Sequence, residues 1–387
     1  MLKNSLLSTI VLFYASGILI AQQRIDKILY AESEKREYIV AVPSNQPPPE
    51  GFPLVFMFHG TGGDGEKFFN ISGWKENALA NDFIAVFPSA LRYCLIEDGQ
   101  QNRTTKWNCK DLSENLCSGQ QMKDDVLFFE QMLDSLKSDF EINPCKIYVS
   151  GFSNGSCFGS KLSVALGHKI TAYGGVGGFM GMDDTLQNAV SAPMWLMVGT
   201  EDNRFTEAFG LTEFPFNDSI LIYFNGAVQR YLYSLQLKYE YTKEELPNAL
   251  TYRFNTSFNP NKSGEFKFTL IKNLTHQYPN GNNFPVNISQ IFWDYFKDLC
   301  QLVGTEEILE ESSTIIIYPN PSPSGELIIE SGTSGMLDLY NLSGENLLLG
   351  QLIHSGLNKI KFNLSPGFYF LKIYSGKHSH IEKLVVY

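Results

Sequence analysis

Short apolar runs bounded by Gly, Pro, Asn or charged residues recur through the first three quarters of the chain. Residues 54–58 (LVFMF), 83–87 (FIAVF), 146–150 (KIYVS) and 194–198 (MWLMV) predict buried strands. Residues 37–42 and 266–271 (FKFTLI) predict further strands, the second through its alternation. Residues 126–136 and 288–299 instead repeat apolar positions at helical spacing. Asp124 and Asp125 stand at the start of the first of these helices, where the dipole favours carboxylates. Strands separated by helices predict an α/β domain over residues 22–302, a mostly parallel sheet flanked by helices.

After residue 312 the helical spacing disappears. Residues 315–318, 327–329, 336–340, 359–362, 368–373 and 383–387 are strand-like and are separated by Gly, Ser, Asn and Pro. About seven short strands predict a small all-β sandwich over residues 313–387. Residues 303–312 (VGTEEILEES) hold four Glu and no base, which predicts an acidic linker between two folded units. At the other end, Lys3 precedes a mostly apolar run, residues 6–21, that closes on the small Ala21. That run is shorter than the ~20 residues a spanning helix needs and contains Ser8, Thr9, Ser16 and Gly17. Residues 1–21 therefore read as a secretory signal peptide, and no later segment of the sequence is apolar enough to span a membrane.

Composition narrows the classes. With 43% hydrophobic and 18% charged residues among 387, the chain is neither disordered nor collagen-like. A formal charge of −11 without a Lys/Arg cluster argues against nucleic acid as a partner, because phosphate contacts need cations. The cysteines are Cys94, Cys109, Cys117, Cys145, Cys157 and Cys300, in a chain read as exported, where disulfides persist. Cys94, Cys109 and Cys117 crowd one loop, so at least one local bridge is expected there, and sequence leaves the pairing open. A zinc site would need paired CxxC spacing or interleaved histidines, so no metal is expected.

Gly151-Phe152-Ser153-Asn154-Gly155 fits G-x-S-x-G between a strand (146–150) and a helical stretch (157–166). A serine nucleophile stands on such a tight strand-to-helix turn, where small neighbours permit a strained backbone. Its base must come from His59, His168 or His276 in the first unit. His168 ends a helical stretch and reads as a solvated residue favoured by the dipole. His59 precedes Gly60-Thr61-Gly62-Gly63 and reads as a loop-fixing residue. His276 lies after a strand, in the Ser–acid–His order of α/β-hydrolases, and is the expected base. The acid should follow the strand at 194–198. Asp202 is the first candidate and Glu201 the second, holding the imidazole tautomer and stabilising the imidazolium. Asp183 and Asp184 follow irregular Gly-rich sequence and fit less well. The oxyanion hole needs two backbone N–H groups. Asn154 supplies one, and Thr61 the other, with Gly62 as second choice. Trp107, in the cysteine loop, is read two ways: as an aromatic wall of the substrate groove, or as part of a disulfide-braced surface loop. Asp124 and Asp125 read as a helix cap and a loop anchor.

These residues carry a resemblance. Over most of residues 26–300 the chain is similar to polyhydroxybutyrate depolymerase-like esterases, a group close to feruloyl and acetylxylan esterases of the carbohydrate esterase family 1 type. The matches, in order, are His59-Gly60 with its glycine-rich tail, Trp107-Asn108-Cys109, and Asp124-Asp125-Val126 with Phe128. Ile147-Tyr148-Val149 before the serine motif, Gly199-Thr200-Glu201-Asp202 and His276-Gln277-Tyr278-Pro279 with Gly281 complete the set. The resemblance implies an α/β-hydrolase fold with the triad on Ser153, Asp202 and His276, and an oxyanion donor at Thr61. The family often shows H-x-W-P-G after the base. Here Tyr278 replaces the Trp and Asn280 precedes Gly281, so Tyr278 is expected at the substrate rim. Ser156 stands where the family commonly has Gly. Residues 314–387 resemble a second family, the type A sorting domains of type IX secretion, through Tyr318-Pro319-Asn320-Pro321, Leu339-Tyr340-Asn341 with Gly344, Leu364-Ser365-Pro366-Gly367-Phe368-Tyr369 and Lys383-Leu384-Val385-Val386. That resemblance implies a secretion-machinery partner and export, followed by release or surface attachment.

The expectation is a secreted serine esterase without a cofactor, acting on feruloyl or acetyl groups of a polysaccharide. A polyester depolymerase is the alternative, and an inactive binding protein on the same fold a more distant one.

Overall fold

The computed structural model describes residues 23–97, 99–110, 112, 115–181, 184, 192–258, 264–300, 315–322, 325–331, 334–341, 345–354, 356–375 and 378–386. The expected signal peptide (1–21) and acidic linker (303–312) lie outside the described residues, as does Asp183. The described residues fall into two compact units, one on each side of residues 301–314.

The first unit runs β1 (Gln23–Ala31), β2 (Glu34–Val42), β3 (Phe52–Phe58), α1 (Gly65–Ile71), α2 (Trp74–Asn81), β4 (Ile84–Pro88), β5 (Arg92–Glu97) and β6 (Gln100–Thr105). It continues with α3 (Asp125–Asp139), β7 (Ile142–Phe152), α4 (Asn154–Ala165), β8 (Ala172–Val176), β9 (Met194–Glu201), α5 (Asn203–Thr206), α6 (Ile220–Tyr223) and α7 (Asn225–Leu235). It closes with β10 (Tyr241–Leu246), β11 (Ala249–Phe254), β12 (Phe266–Thr275) and α8 (Ile288–Phe296). Ten strands form one sheet, in the order β1-β2-β4-β3-β7-β8-β9-β12-β11-β10. From β4 to β12 neighbouring strands are parallel. Antiparallel pairs extend both edges. This is the α/β-hydrolase fold. The chain order reverses around β3, with β4 on one side and β7 on the other, so the crevice beyond their carboxyl ends is the place where such sheets bind ligands.

The apolar runs read as buried strands because both faces of each are covered. Leu54, Phe56 and Phe58 of β3 point into one core layer with Phe128, Phe129, Met132 and Phe158 of α3 and α4. Val55 and Met57 of the same strand point into the other, with Phe68, Trp74, Phe292 and Phe296 of α1, α2 and α8. The period of two thus partitions one continuous apolar run between two layers. The helix expected from 157 begins at Asn154, directly after the nucleophile candidate. Asp124 caps α3 through Val126 N–H and Leu127 N–H at 2.8 and 3.1 Å. The hairpin β5–β6 and strands β8, β10 and β11 have no counterpart among the expected elements. β8 (AYGGV) lacks the bulky pattern that marks a strand, and pairs because its glycines let Phe292 and Ser156 pack close.

The second unit holds β13 (Ile315–Tyr318), β14 (Glu326–Ser331), β15 (Gly335–Asn341), β16 (Asn346–Ile353), β17 (Gly356–Lys361), β18 (Gly367–Ser375) and β19 (His378–Val386). They form two antiparallel sheets, β13-β14-β17 and β16-β15-β18-β19. Leu327, Ile329, Leu337, Leu339, Leu371 and Ile373 share its core. β16 was not legible in the pattern: Gly350, at φ +66°, interrupts its alternation opposite a register shift in β15.

Candidate active site

Ser153 occupies the single residue between β7 and α4, at φ 52° and ψ −119°. A serine rarely adopts that conformation, and its strain persists only where the surroundings fix it. The turn is fixed by close packing. A Cβ on Gly151 would lie 2.3 Å from Gly155 O, and one on Gly155 would lie 2.2 Å from Phe58 O. Both glycines of the motif are therefore sterically required. Ser153 N–H donates to Val176 O at 2.8 Å, tying the turn to the neighbouring strand.

His276 Nε2 lies 3.0 Å from Ser153 Oγ, and His276 Nδ1 lies 2.9 Å from each carboxylate oxygen of Asp202. Asp202 follows β9, caps α5 and accepts Arg204 N–H on Oδ1 at 3.1 Å. It is 2% exposed and the His276 side chain 17%. An anionic Asp202 oxygen at Nδ1 selects the Nδ1–H tautomer, which leaves the Nε2 lone pair facing the serine hydroxyl. Asp202, and not Glu201, makes this contact. His276 is delivered by an irregular register between Ile271 and Thr275 of β12. There Asn273, at φ 58°, donates its N–H to Thr200 Oγ1 at 2.9 Å, linking the ends of β12 and β9.

Gly60, Thr61 and Asn154 line the same cavity as Ser153 and His276. The second-choice donor Gly62 is otherwise engaged: its N–H donates to Thr105 O at 3.0 Å. His59 is fully buried behind the loop. Its Nδ1 faces Gly60 O at 2.7 Å, and Ala90 N–H donates to its Nε2 at 3.0 Å. Burial lowers its pKa to about 4, the Gly60 bond opposing only in part, so the ring is neutral and anchors the loop. His168 is exposed beyond the end of α4.

Two site expectations are corrected. Trp107 is fully buried, stacks on Phe158 and donates Nε1–H to His59 O at 2.9 Å, so it is core beneath the groove and no wall of it. Tyr278 is 4% exposed and lies edge-on to Phe68 and Phe152, so it supports the histidine loop from below and does not rim the cavity. In both cases an aromatic expected at the groove faces inward, which composition cannot reveal. The phenyl groups that do line the cavity belong to Phe152, Phe179 and Phe205. The cavity measures about 500 Å³.

The loop that carries Trp107 is fastened to α4, the helix that follows Ser153. Cys109 is bonded to Cys157, while Cys94–Cys117 supplies the local bridge expected in the loop and Cys145–Cys300 joins β7 to the segment after α8. Sequence reading missed a buried ion pair behind this loop. Arg36 Nη2 bonds Asp125 Oδ1 at 2.6 Å, with side chains 1% and 0% exposed, and the guanidinium lies over Phe128. Asp125 Oδ2 accepts Asn108 N–H at 2.7 Å, the loop anchor expected of it. Burial raises the Asp125 pKa despite the facing arginine. Among the described residues no group of His, Cys, Asp and Glu is arranged to hold a metal ion.

A bifunctional acetylxylan esterase/xylanase of Neocallimastix patriciarum is 25% identical over 138 residues, 36% of this chain and 17% of that protein's length. The matched region is thus a small part of that relative. Similar solved structures include an acetyl xylan esterase from Aspergillus awamori (TM-score 0.47, 13% identity, 72% of this chain and 99% of that one). An S-formylglutathione hydrolase from Agrobacterium tumefaciens aligns with TM-score 0.47, 9% identity, 73% of this chain and 98% of that one. A ferulic acid esterase from Anaeromyces mucronatus aligns with TM-score 0.42, 11% identity, 74% of this chain and 93% of that one. Residues 316–387 match the family described as the secretion system C-terminal sorting domain, and this sandwich marks the chain for secretion.

Proposed function

We propose that the protein is a secreted serine carboxylic ester hydrolase. The observation that carries the reading is the hydrogen-bonded series Ser153–His276–Asp202 opening into a cavity at the carboxyl ends of the parallel strands. Ser153 Oγ attacks the ester carbonyl as His276 Nε2 takes its proton. Thr61 and Asn154 N–H groups stabilise the oxyanion, and Asp202 stabilises the imidazolium without taking the proton. The proton then passes to the leaving alcohol, and water, deprotonated by the same imidazole, cleaves the acyl-enzyme. The residues named need neither a metal nor an organic cofactor for these steps. The 1–21 segment acts as a signal peptide, 22–302 as the enzyme, 303–312 as a tether and 313–387 as the sorting domain engaged by the secretion machinery.

Ester side groups of a polysaccharide are the proposed substrates, in keeping with the acetylxylan esterase activity of the Neocallimastix patriciarum relative. Hydrolysis of p-nitrophenyl acetate by the wild type and its loss in Ser153→Ala test the reaction, and equal rates in the two overturn it. Methyl ferulate, acetylated xylan and polyhydroxybutyrate assayed side by side rank the acyl and polymer preferences. Deleting 313–387 tests the sorting role, the expected outcome being enzyme retained inside the cell envelope.

A further inference from the structure

The cavity carries positive charge that ester hydrolysis does not use. Lys106, Lys110 and Arg204 line it beside Ser153 and His276, and among its described lining residues none is Asp or Glu. This reverses the balance of the chain as a whole, whose formal charge is −11. The remaining lining includes Leu112, Phe179 and Phe205, an apolar surface suited to an organic body attached to an anion.

The loop bearing two of these cations is held at every residue. Lys106 N–H donates to Leu91 O at 3.1 Å, Trp107 N–H to Asn154 Oδ1 at 2.6 Å and Asn108 N–H to Asp125 Oδ2 at 2.7 Å. Cys109 is bonded to Cys157, and Lys110 N–H donates to Asp184 Oδ2 at 2.7 Å. Lys110 also sits at φ 61°, in the left-handed region that residues other than glycine seldom occupy. Asp184 directs its other oxygen to Lys161 Nζ at 2.9 Å. Desolvation, then Arg230 and Lys106, lower the Lys110 pKa, and Asp184 opposes them. Arg204 comes from a separate element whose first turn is fixed by Asp202. A fixed backbone has lost its entropy at folding, so an anion bound there has only the long side chains left to order.

We infer that this cavity selects esters that carry a carboxylate, on either the acyl or the alcohol portion, bound by Lys110 and Arg204. The inference rests on the esterase reading and narrows its substrate class. Half-esters of diacids and acylated uronic-acid residues both present that chemistry.

Steady-state kinetics on the full chain test it with two matched pairs. Mono-p-nitrophenyl adipate against p-nitrophenyl hexanoate places the carboxylate on the acyl side. O-acetylated methyl glucuronoside against O-acetylated methyl glucoside places it on the alcohol side. In one of the two pairs kcat/KM for the anionic member exceeds that for the neutral one by roughly tenfold or more, chiefly through KM, as expected for charge-assisted hydrogen bonds. The ratio falls as salt is raised toward ~1 M, because screening acts on the charged member alone. Lys110→Gln and Arg204→Gln each lower the ratio roughly fivefold, and the neutral ester read in the same assay reports folding. Equal or inverted ratios in both pairs, or ratios unmoved by salt and by both substitutions, overturn the inference while leaving the esterase intact. Failure to hydrolyse any of the four esters overturns the esterase reading itself.

Discussion

Asn154 and Trp107 are joined twice: Trp107 N–H donates to Asn154 Oδ1 at 2.6 Å, and Asn154 Nδ2–H donates to Trp107 O at 3.2 Å. The residue after Ser153 thus has two separable parts, a backbone N–H at the cavity and an amide that holds the 106–110 loop. Asn154→Ala keeps the first and removes the second. Leaving the loop's polar groups unpaired costs about 1–3 kcal/mol. We expect kcat/KM for p-nitrophenyl acetate to fall roughly tenfold as the loop loosens. A variant at the wild-type rate would show that the side chain has no part in the site.

The two acidic residues at the end of β9, Glu201 within it and Asp202 just after it, differ in reach, since Asp202 contacts His276 on both oxygens. Asp202→Asn leaves the wrong tautomer facing Ser153 and should lower kcat by about 10⁴-fold. Glu201→Gln should stay close to wild type. Comparable losses in the two variants would reassign the acid.

The bridges should separate by function. Removing Cys109–Cys157 as a paired Ala variant frees the loop that lines the cavity, so activity and stability fall together. Removing Cys145–Cys300, which closes a 155-residue separation away from the cavity lining, should cost about 2–5 kcal/mol with KM preserved. Thermal melts and KM for each paired variant check this, and a KM change confined to the second pair contradicts it.

Arg36→Met leaves Asp125 buried beside an apolar side chain and should destabilise the fold by about 3–5 kcal/mol. Arg36→Met with Asp125→Leu removes both charges and should recover part of that loss. The recovery is incomplete because Asn108 N–H loses its acceptor. Denaturant midpoints decide it, and a double variant less stable than Arg36→Met alone would show that an unpaired Asp125 carries no such penalty.

His59 gives a pH signature. Its folded pKa is depressed to about 4 from 6.5, so the unfolded chain binds a proton that the folded chain refuses. Its contribution is complete above pH 6.5 and is lost as pH falls through that value toward 4. The shift corresponds to about 3 kcal/mol at its limit. Urea midpoints should drop across this window more steeply in the wild type than in His59→Gln. Parallel pH profiles would contradict a neutral buried imidazole.

Sequence by itself determined what is local. A buried strand, a glycine-flanked turn and a helix start are adjacent in the chain, so β7, Ser153 and α4 could be read from residues 146–166. The ends of β9 and β12 likewise drew attention to Asp202 and His276, because strand ends in a parallel sheet share one edge. The alternating segments after residue 312 disclosed the second unit for the same reason: a period of two is a short-range property. Only tertiary structure decided what depends on distant partners. Trp107 and Tyr278 turn inward because Phe158 and Phe68 offer apolar surface there, and nothing in their own neighbourhood of sequence encodes that choice. Cys109 pairs with Cys157, 48 residues away, in preference to the nearer Cys117, because α4 passes beneath the loop. Arg36 and Asp125, 89 residues apart, lose their water together only once β2 and α3 have packed. The reversed charge of the cavity arises in the same way, since Lys106, Lys110 and Arg204 are unremarkable surface residues until folding faces them onto one space.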